Sequence, residues 1–187
     1  MSTAIMAQPT SSLKAGMRKL WTDHVIWTRQ YITSAVADMP DANAAAARLL
    51  KNQEHIGNAI VPYYGRAAGD GLTKLLKQHI MIAVDLVAAA KANNQEKFKQ
   101  EDQKWTKNAG EIAGFLSSAN PNWSKADLID LLGQHLSLTK AEAVARLTKN
   151  WEDDVKAFDD IFTEILTVAD ALSDGIIKQF PNKFKAQ

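Results

Sequence analysis

The chain has 187 residues, of which 46% are hydrophobic and 23% charged, and its 22 lysines and arginines against 21 aspartates and glutamates give a net charge of +1. This length and composition suit one folded domain, and a charge so close to zero provides no general field that would attract nucleic acid or an anionic membrane surface. Because cysteine is absent, disulfides and thiolate metal sites are excluded, and a metal could be bound only by histidine, carboxylate or amide groups.

The predicted domain covers residues 11–181, between flexible tails at residues 1–10 and 182–187. Residues 1–16 do not combine a basic start with an apolar run, as a secretory signal peptide does. No stretch reaches the roughly 18 uncharged apolar residues that a membrane-spanning helix needs. We therefore expect a cytoplasmic protein that has neither a membrane nor nucleic acid as a partner.

Apolar residues recur at alternating steps of three and four along nearly the whole chain, and no long stretch alternates with period two. This pattern predicts an all-α protein, and we expect an up-and-down antiparallel helical bundle. The predicted helices cover residues 12–38, 41–64, 68–91, 95–118, 125–136 and 139–178.

Turn residues separate these helices. Pro40 ends the first helix because proline lacks an N–H group and restricts the residue before it. The segment from Pro62 to Gly71 is either a true turn or a kink within one long helix, so the bundle has six shorter helices or four long kinked ones. Asn120-Pro121-Asn122 ends the fourth helix. Ser124 and Thr139 are each followed three residues later by an acidic residue, which predicts the starts of the last two helices.

An internal repeat of about 56 residues is also predicted. Residues 48–84 match residues 104–140 without a gap at an offset of 56, which favours a duplicated helical hairpin, and a shorter third copy lies at an offset of 55. Chance similarity between leucine-rich helices is the alternative. The polar residues that coincide are His24, His79 and His135, and Asn52 and Asn108.

Each predicted helix carries one polar residue on its apolar stripe. Counting from the turns at about 1.5 Å per residue brings neighbouring ones to similar heights, so hairpins would gather them into one polar layer. An unpaired buried amide or imidazole costs about 1–3 kcal/mol, and an unpaired carboxylate more, so the layer must satisfy itself or bind water or a ligand. Its members are His24, Asn52, His79, Asn108, His135 and Asp154.

The sharpest functional hypothesis is a binding protein with a divalent transition-metal site for zinc, copper or iron in the bundle core. The proposed ligands are His24, His79, His135 and Asp154. The side chains expected to hold these ligands by hydrogen bonds are Asn52, Asn108 and Glu111. The Glu-x-x-His pairs of helical di-iron proteins are missing, however, and His55 is predicted to lie at the boundary of the core.

Two other functions fit the same pattern. In a structural or interaction module, the polar layer would serve only to fix the register of the helices, as a buried asparagine does in coiled coils. A metal-dependent hydrolase is a third hypothesis, which would also need an open coordination position. The sequence contains neither a nucleophile motif nor a phosphate loop, so it does not predict an enzyme. It leaves a homo-oligomer and a protein partner open.

Short motifs are spread over nearly the whole chain. They include Leu20-Trp21-Thr22-Asp23-His24-Val25-Ile26-Trp27-Thr28-Arg29, Asn52-x-x-x-Ile56-Gly57, Tyr63-Tyr64-Gly65, Asn120-Pro121-x-Trp123, His135-Leu136-x-Leu138-Thr139 and Gln179-Phe180-Pro181. Together they resemble a family of uncharacterised small bacterial helical-bundle proteins, some automatically labelled glycosyltransferase or acetylglutamate kinase. Neither label agrees with a sequence that lacks alternating strands and helices. The resemblance implies a helical bundle and adds no chemistry.

Overall fold

The computed structural model describes residues 9–184, and helices form nearly all of this part of the chain. Residues 1–8 and 185–187, where most of the predicted tails fall, lie outside the described residues, and no strand occurs between residues 9 and 184. The helices are α1 (Thr10–Val36), α2 (Ala42–Tyr64), α3 (Arg66–Lys91), α4 (Gln95–Ala119), α5 (Lys125–Leu147) and α6 (Trp151–Gln179), followed by a 3₁₀ helix at Pro181–Lys183.

The six helices form an up-and-down bundle that closes into a ring. Each helix packs against the next one, and α1 packs against α6. Arg18 and Asp170 pair across this last seam at 2.6 Å. The helices α1, α3 and α5 also contact one another across the middle of the ring. The predicted all-α, up-and-down bundle is therefore confirmed, and the odd-numbered helices surround its axis.

The segment between α2 and α3 is a true turn, so the bundle has six helices. Gly65 alone links the two helices, and its φ of 83° lies in the left-handed region that favours glycine. Lys77 on α3 pairs with Glu54 on α2 at 2.6 Å, as antiparallel neighbours do. The helices approach closely at Gly57 and Gly69, because a β-carbon on Gly57 would lie 2.6 Å from the carbonyl oxygen of Gly69.

The predicted break before Thr139 is wrong. The helix that begins after Ser124 continues without interruption to Leu147. The hydroxyl of Thr139 donates to the carbonyl oxygen of His135 at 2.9 Å inside this helix, so it caps no helix end. The Thr-x-x-Glu motif occurs inside helices as well as at their starts. Only the conformation of the flanking backbone distinguishes the two cases.

The true turn between α5 and α6 lies at residues 148–150. Lys149 has a positive φ of 61°, although it is not a glycine. The side chain of Asn150 accepts a hydrogen bond from the backbone N–H of Asp153 and thereby caps α6. Ser124 caps α5 in the same way through Asp127, as the sequence predicts.

The chain after α6 folds back onto the α2–α3 end of the bundle. The rings of Phe180 and Phe184 each lie 5.8 Å from the ring of Tyr63, measured between centroids. Residues 182–184, which the sequence places in a flexible tail, therefore pack against the domain. None of the described helices is long and apolar enough to cross a membrane.

Candidate binding site at the centre of the bundle

Three histidines meet on the axis of the bundle. His24 on α1, His79 on α3 and His135 on α5 are only 3–4% exposed. The ring centroids of His24 and His135 lie 5.5 Å apart, and those of His79 and His135 lie 6.4 Å apart. These three residues, which we call the histidine triad, come together because the three central helices carry them at the same height.

Each imidazole of the triad is held by its Nδ1 atom from the following helix. In every case the partner is the residue 29 positions further along the chain, so the three hairpins α1–α2, α3–α4 and α5–α6 make the same contact. The pairs are His24 with Gln53 at 3.2 Å, His79 with Asn108 at 2.8 Å and His135 with Glu164 at 3.0 Å. Because Nδ1 is engaged, Nε2 is the nitrogen that remains for other contacts.

The asparagine behind His79 fixes the position of a proton. The amide nitrogen of Asn108 donates to the carbonyl oxygen of Leu75 at 3.2 Å. Its oxygen therefore faces His79, so Nδ1 of His79 must carry the hydrogen and donate it. In the neutral ring, Nε2 of His79 is then a hydrogen-bond acceptor.

The glutamine behind His24 has the opposite orientation. The amide nitrogen of Gln53 lies 2.9 Å from the carbonyl oxygen of Leu49, 3.1 Å from the side-chain oxygen of Asn52 and 3.2 Å from Nδ1 of His24, so its two hydrogens are shared among three acceptors. Because an amide nitrogen cannot accept a hydrogen bond, Nδ1 of His24 faces it with a lone pair, and the hydrogen of the neutral ring lies on Nε2. Asn52, a predicted outer partner, thus acts through Gln53, and its own amide donates to Leu20.

Burial keeps two imidazoles of the triad neutral. Removal from water and the nearby His135 together lower the pKa of His79 to about 3, although the hydrogen bond with Asn108 opposes this shift. The same two causes, together with His79, hold the pKa of His24 well below its ordinary value. His135 lies against a buried carboxylate, Glu164, whose second oxygen has no hydrogen-bond partner within residues 9–184.

The triad lies in the wall of a cavity between α1, α3 and α5. Mostly apolar side chains line this cavity, and its partly exposed mouth includes Thr28, Ala83 and Val84. The space inside it that a water-sized group can occupy is about 20 Å³, roughly that of one water molecule. Trp105 also lines the cavity, and its indole N–H has no acceptor in the described part of the chain.

Asp154, the fourth predicted ligand, lies in a different cluster. It is buried, as its position on the apolar stripe predicts, but its carboxylate contacts Arg29 at 3.1 Å and Arg146 at 3.0 Å. Arg29 also contacts Glu142 at 2.6 Å. These four residues form a charged cluster that joins α1, α5 and α6. Asp154 does not line the cavity of the triad, because both of its oxygens are taken by guanidinium groups.

The structure places two further candidates at the surface. Glu111, predicted as an outer partner, is exposed and lies 3.8 Å from Lys107, because it precedes the buried Ile112 by one position and so points away from the core. His55 is exposed for the same reason, since it precedes the buried Ile56.

Two tryptophans lie beside the triad. Trp21 lies edge-on to His24 with 5.7 Å between centroids, and the centroid of Trp105 lies 5.0 Å from that of His79. Trp27 contacts the guanidinium of Arg48 instead. Trp151 is 54% exposed, because α6 begins there.

A metal ion does not fit this arrangement without change. Among residues 9–184, no three histidine, aspartate or glutamate side chains are placed so that they could hold one. The donor set explains why. His24 directs an N–H, not a lone pair, away from Gln53, and the carboxylate of Asp154 is engaged by arginines.

Sequence reasoning missed two of the three residues behind the triad. Glu164 follows Asn108 by 56 positions, the offset of the predicted repeat, and lies on the stripe between Ile161 and Ile165, so extending the repeat would have found it. Gln53 precedes Asn108 by 55 positions, the other offset.

A scan against models of protein families finds no match for this chain, and searches among curated proteins and solved structures find none either. The resemblance to small bacterial helical-bundle proteins therefore stays a hypothesis that depends on sequence motifs.

Proposed function

We propose that this is a binding protein whose ligand is a small, largely apolar molecule held in the central cavity. One observation carries the proposal: three buried imidazoles line a mostly apolar cavity with an open mouth, and each is fixed from behind through Nδ1. A concave, apolar space with a few oriented polar groups is typical of small-molecule sites.

The dimensions of the cavity support a ligand with a small polar end. The triad is almost fully buried, and the space of about 20 Å³ beside it suits a group the size of one water molecule. The apolar body of the ligand would lie at the mouth, where side chains would move apart to admit it.

The proposal is tested by NMR titration of the full chain with small alcohols, namely phenol, benzyl alcohol and cyclohexanol. We expect saturable shifts in at least one titration, confined to residues that line the cavity, such as Ile80, Val87 and Ala143. Ala83→Phe fills the mouth and should abolish them, whereas Ala88→Phe, on the exposed face of the same helix, should not. Without any saturable shift, the triad would serve only to fix helix register.

A divalent transition metal, zinc, copper or iron, is the second candidate function. Its support is the spacing of the rings, since imidazoles bound to one ion at 2.0–2.1 Å have centroids roughly 5–5.5 Å apart, and His24 and His135 are 5.5 Å apart. Binding would require Gln53 to turn its amide, so that His24 could move its proton to Nδ1. Asp154 would take no part.

Metal titration followed by elemental analysis separates the two candidates. Gln53→Glu provides an acceptor for a proton on Nδ1 of His24, so under the metal hypothesis it should increase the affinity for zinc. His135→Asn should remove binding, and His55→Asn should leave it intact. A melting temperature that neither chelator nor added metal changes, in the wild type and in Gln53→Glu, would contradict this candidate.

A further inference from the structure

We infer that the cavity selects ligands whose polar end is a hydroxyl group, that is, a group that both donates and accepts a hydrogen bond. This inference rests on the proposed small-molecule function and specifies its ligand class. It follows from the residues behind the triad, which set opposite proton positions on two imidazoles of one cavity.

His24 is a donor toward the cavity. Its Nδ1 faces the amide nitrogen of Gln53, which has hydrogens and no lone pair to offer, and which shares those hydrogens with the carbonyl oxygen of Leu49 and the side chain of Asn52. The neutral ring therefore carries its hydrogen on Nε2.

His79 is an acceptor toward the same cavity. Its Nδ1 donates to the oxygen of Asn108, because the amide nitrogen of Asn108 is bonded to the carbonyl of Leu75. Nε2 of His79 then has a lone pair and no hydrogen. Two chemically identical side chains thus present complementary groups.

The third imidazole can adapt to the ligand. Nδ1 of His135 faces the carboxylate of Glu164, so it carries a hydrogen, and Nε2 accepts when the ring is neutral and donates when it is protonated. The fixed groups are therefore one donor, on His24, and one acceptor, on His79.

A hydroxyl matches this pair of groups. It has one hydrogen, which His79 accepts, and lone pairs, one of which accepts from His24. An ether or a ketone leaves the lone pair of His79 unpaired, and a hydrocarbon leaves both groups unpaired. A charged ammonium or carboxylate would lose its hydration at a site whose two fixed imidazoles are neutral.

The proton positions are tested directly by long-range ¹H–¹⁵N NMR spectra of the histidine rings in the full chain without ligand. We expect the hydrogen of His24 on Nε2 and that of His79 on Nδ1. The exposed His55 serves as the reference for a ring that exchanges freely. The same proton position in both buried rings would overturn the inference.

Ligand choice is tested with phenol, anisole and toluene, which have similar shapes but a donor and acceptor, an acceptor only, and neither. We expect phenol to bind about tenfold more tightly than the other two, since each of them leaves a buried group unpaired. In His79→Leu this preference should disappear while toluene still binds, and His55→Leu should behave as the wild type.

Two outcomes separate this inference from the function on which it rests. Equal affinities for the three probes in the wild type would overturn the hydroxyl preference and leave the cavity a binding site. The absence of saturable binding for all three would overturn both. If His79→Leu does not fold, Asn108→Asp is the second variant. It places a carboxylate behind His79, as Glu164 lies behind His135, so Nε2 of His79 is no longer a fixed acceptor and the preference for phenol over anisole should weaken.

Discussion

The guanidinium of Arg29 on α1 lies 2.6 Å from the carboxylate of Glu142 on α5, which is only 1% exposed. Arg29 also reaches Asp154 on α6, and Arg146 contacts Asp154 from the other side. Two arginines and two carboxylates thus form a neutral cluster between three helices. Because this cluster is largely removed from water, each of its charges depends on the others.

We expect Arg29→Met to lower the free energy of unfolding by about 3–5 kcal/mol at neutral pH, because it leaves a buried carboxylate without its counter-charge. Arg18→Met is the matched control. It breaks an arginine–aspartate contact between α1 and α6 that is exposed, so it should cost about 0–1 kcal/mol. Urea denaturation measures the free energy of unfolding of both variants. Equal decreases would contradict the argument that burial makes the Arg29 contacts stronger.

The charged cluster should also make stability depend on pH. Burial raises the pKa of Glu142 from 4.5 to about 7, although Arg29 opposes this shift. Between these values the folded protein holds a proton that the unfolded chain releases, so the contribution of Glu142 to stability decreases as the pH rises from about 4.5 to 7. The decrease should be on the order of 2–3 kcal/mol.

Glu142→Gln isolates this effect, because it cannot titrate. The difference in unfolding free energy between wild type and variant, measured by urea denaturation across the pH range, should fall with rising pH. A difference that is flat or rises would show that Arg29 outweighs burial and keeps the carboxylate ionised.

The buried imidazole of His79 should give stability the opposite pH dependence. Since the pKa of His79 in the folded protein is about 3, the unfolded chain takes up a proton near pH 6.5 that the folded ring does not, and stability is lost as the pH falls below 6.5. A buried neutral histidine contributes about 1.4 kcal/mol per pH unit in this window. His79→Gln should reduce the slope of stability against pH, whereas His55→Gln should not. Equal slopes in the wild type and His79→Gln would contradict a neutral His79.

Replacing glycine by alanine should change stability in opposite directions at two positions, one where α2 and α3 approach closely and one on the open surface of α5. A β-carbon at Gly57 would lie 1.9 Å from the hydroxyl oxygen of Thr73, so Gly57→Ala should force the helices apart and cost about 1–3 kcal/mol. At Gly133 nothing lies within 4 Å, so Gly133→Ala in α5 should stabilise by about 0.5–1 kcal/mol through helix propensity. Thermal unfolding distinguishes the two. If Gly57→Ala were more stable than the wild type, α2 and α3 would be able to move apart at little cost in free energy.

The fold could be predicted from periodicity and from turn residues because both signals are local. Pro40 and Asn120-Pro121 mark real turns for this reason. The turn at Lys149 was missed because it contains neither glycine nor proline, and the Thr139–Glu142 pattern inside α5 was taken for a helix start. Local chemistry alone does not separate these cases.

The site could be predicted only in part. Helical phase correctly places His24, His79 and His135 in the core, and hairpin geometry brings them to one height. Helical periodicity does not predict, however, which side chain from another helix contacts a given buried polar residue. Asp154 is inside as expected, but its partner Arg29 comes from a helix 125 residues away in sequence, a contact that no local pattern encodes.

The closure of the ring by α1 and α6 has a consequence for how the chain assembles. The contacts behind the histidines join residues 29 apart, whereas Arg18 and Asp170 are separated by 152 residues. Bringing such distant segments together costs about 1.5 kcal/mol more in loop-closure entropy than forming one hairpin. The hairpins are therefore suited to form first and quickly, and the two ends of the chain should dock last and separate first during local unfolding.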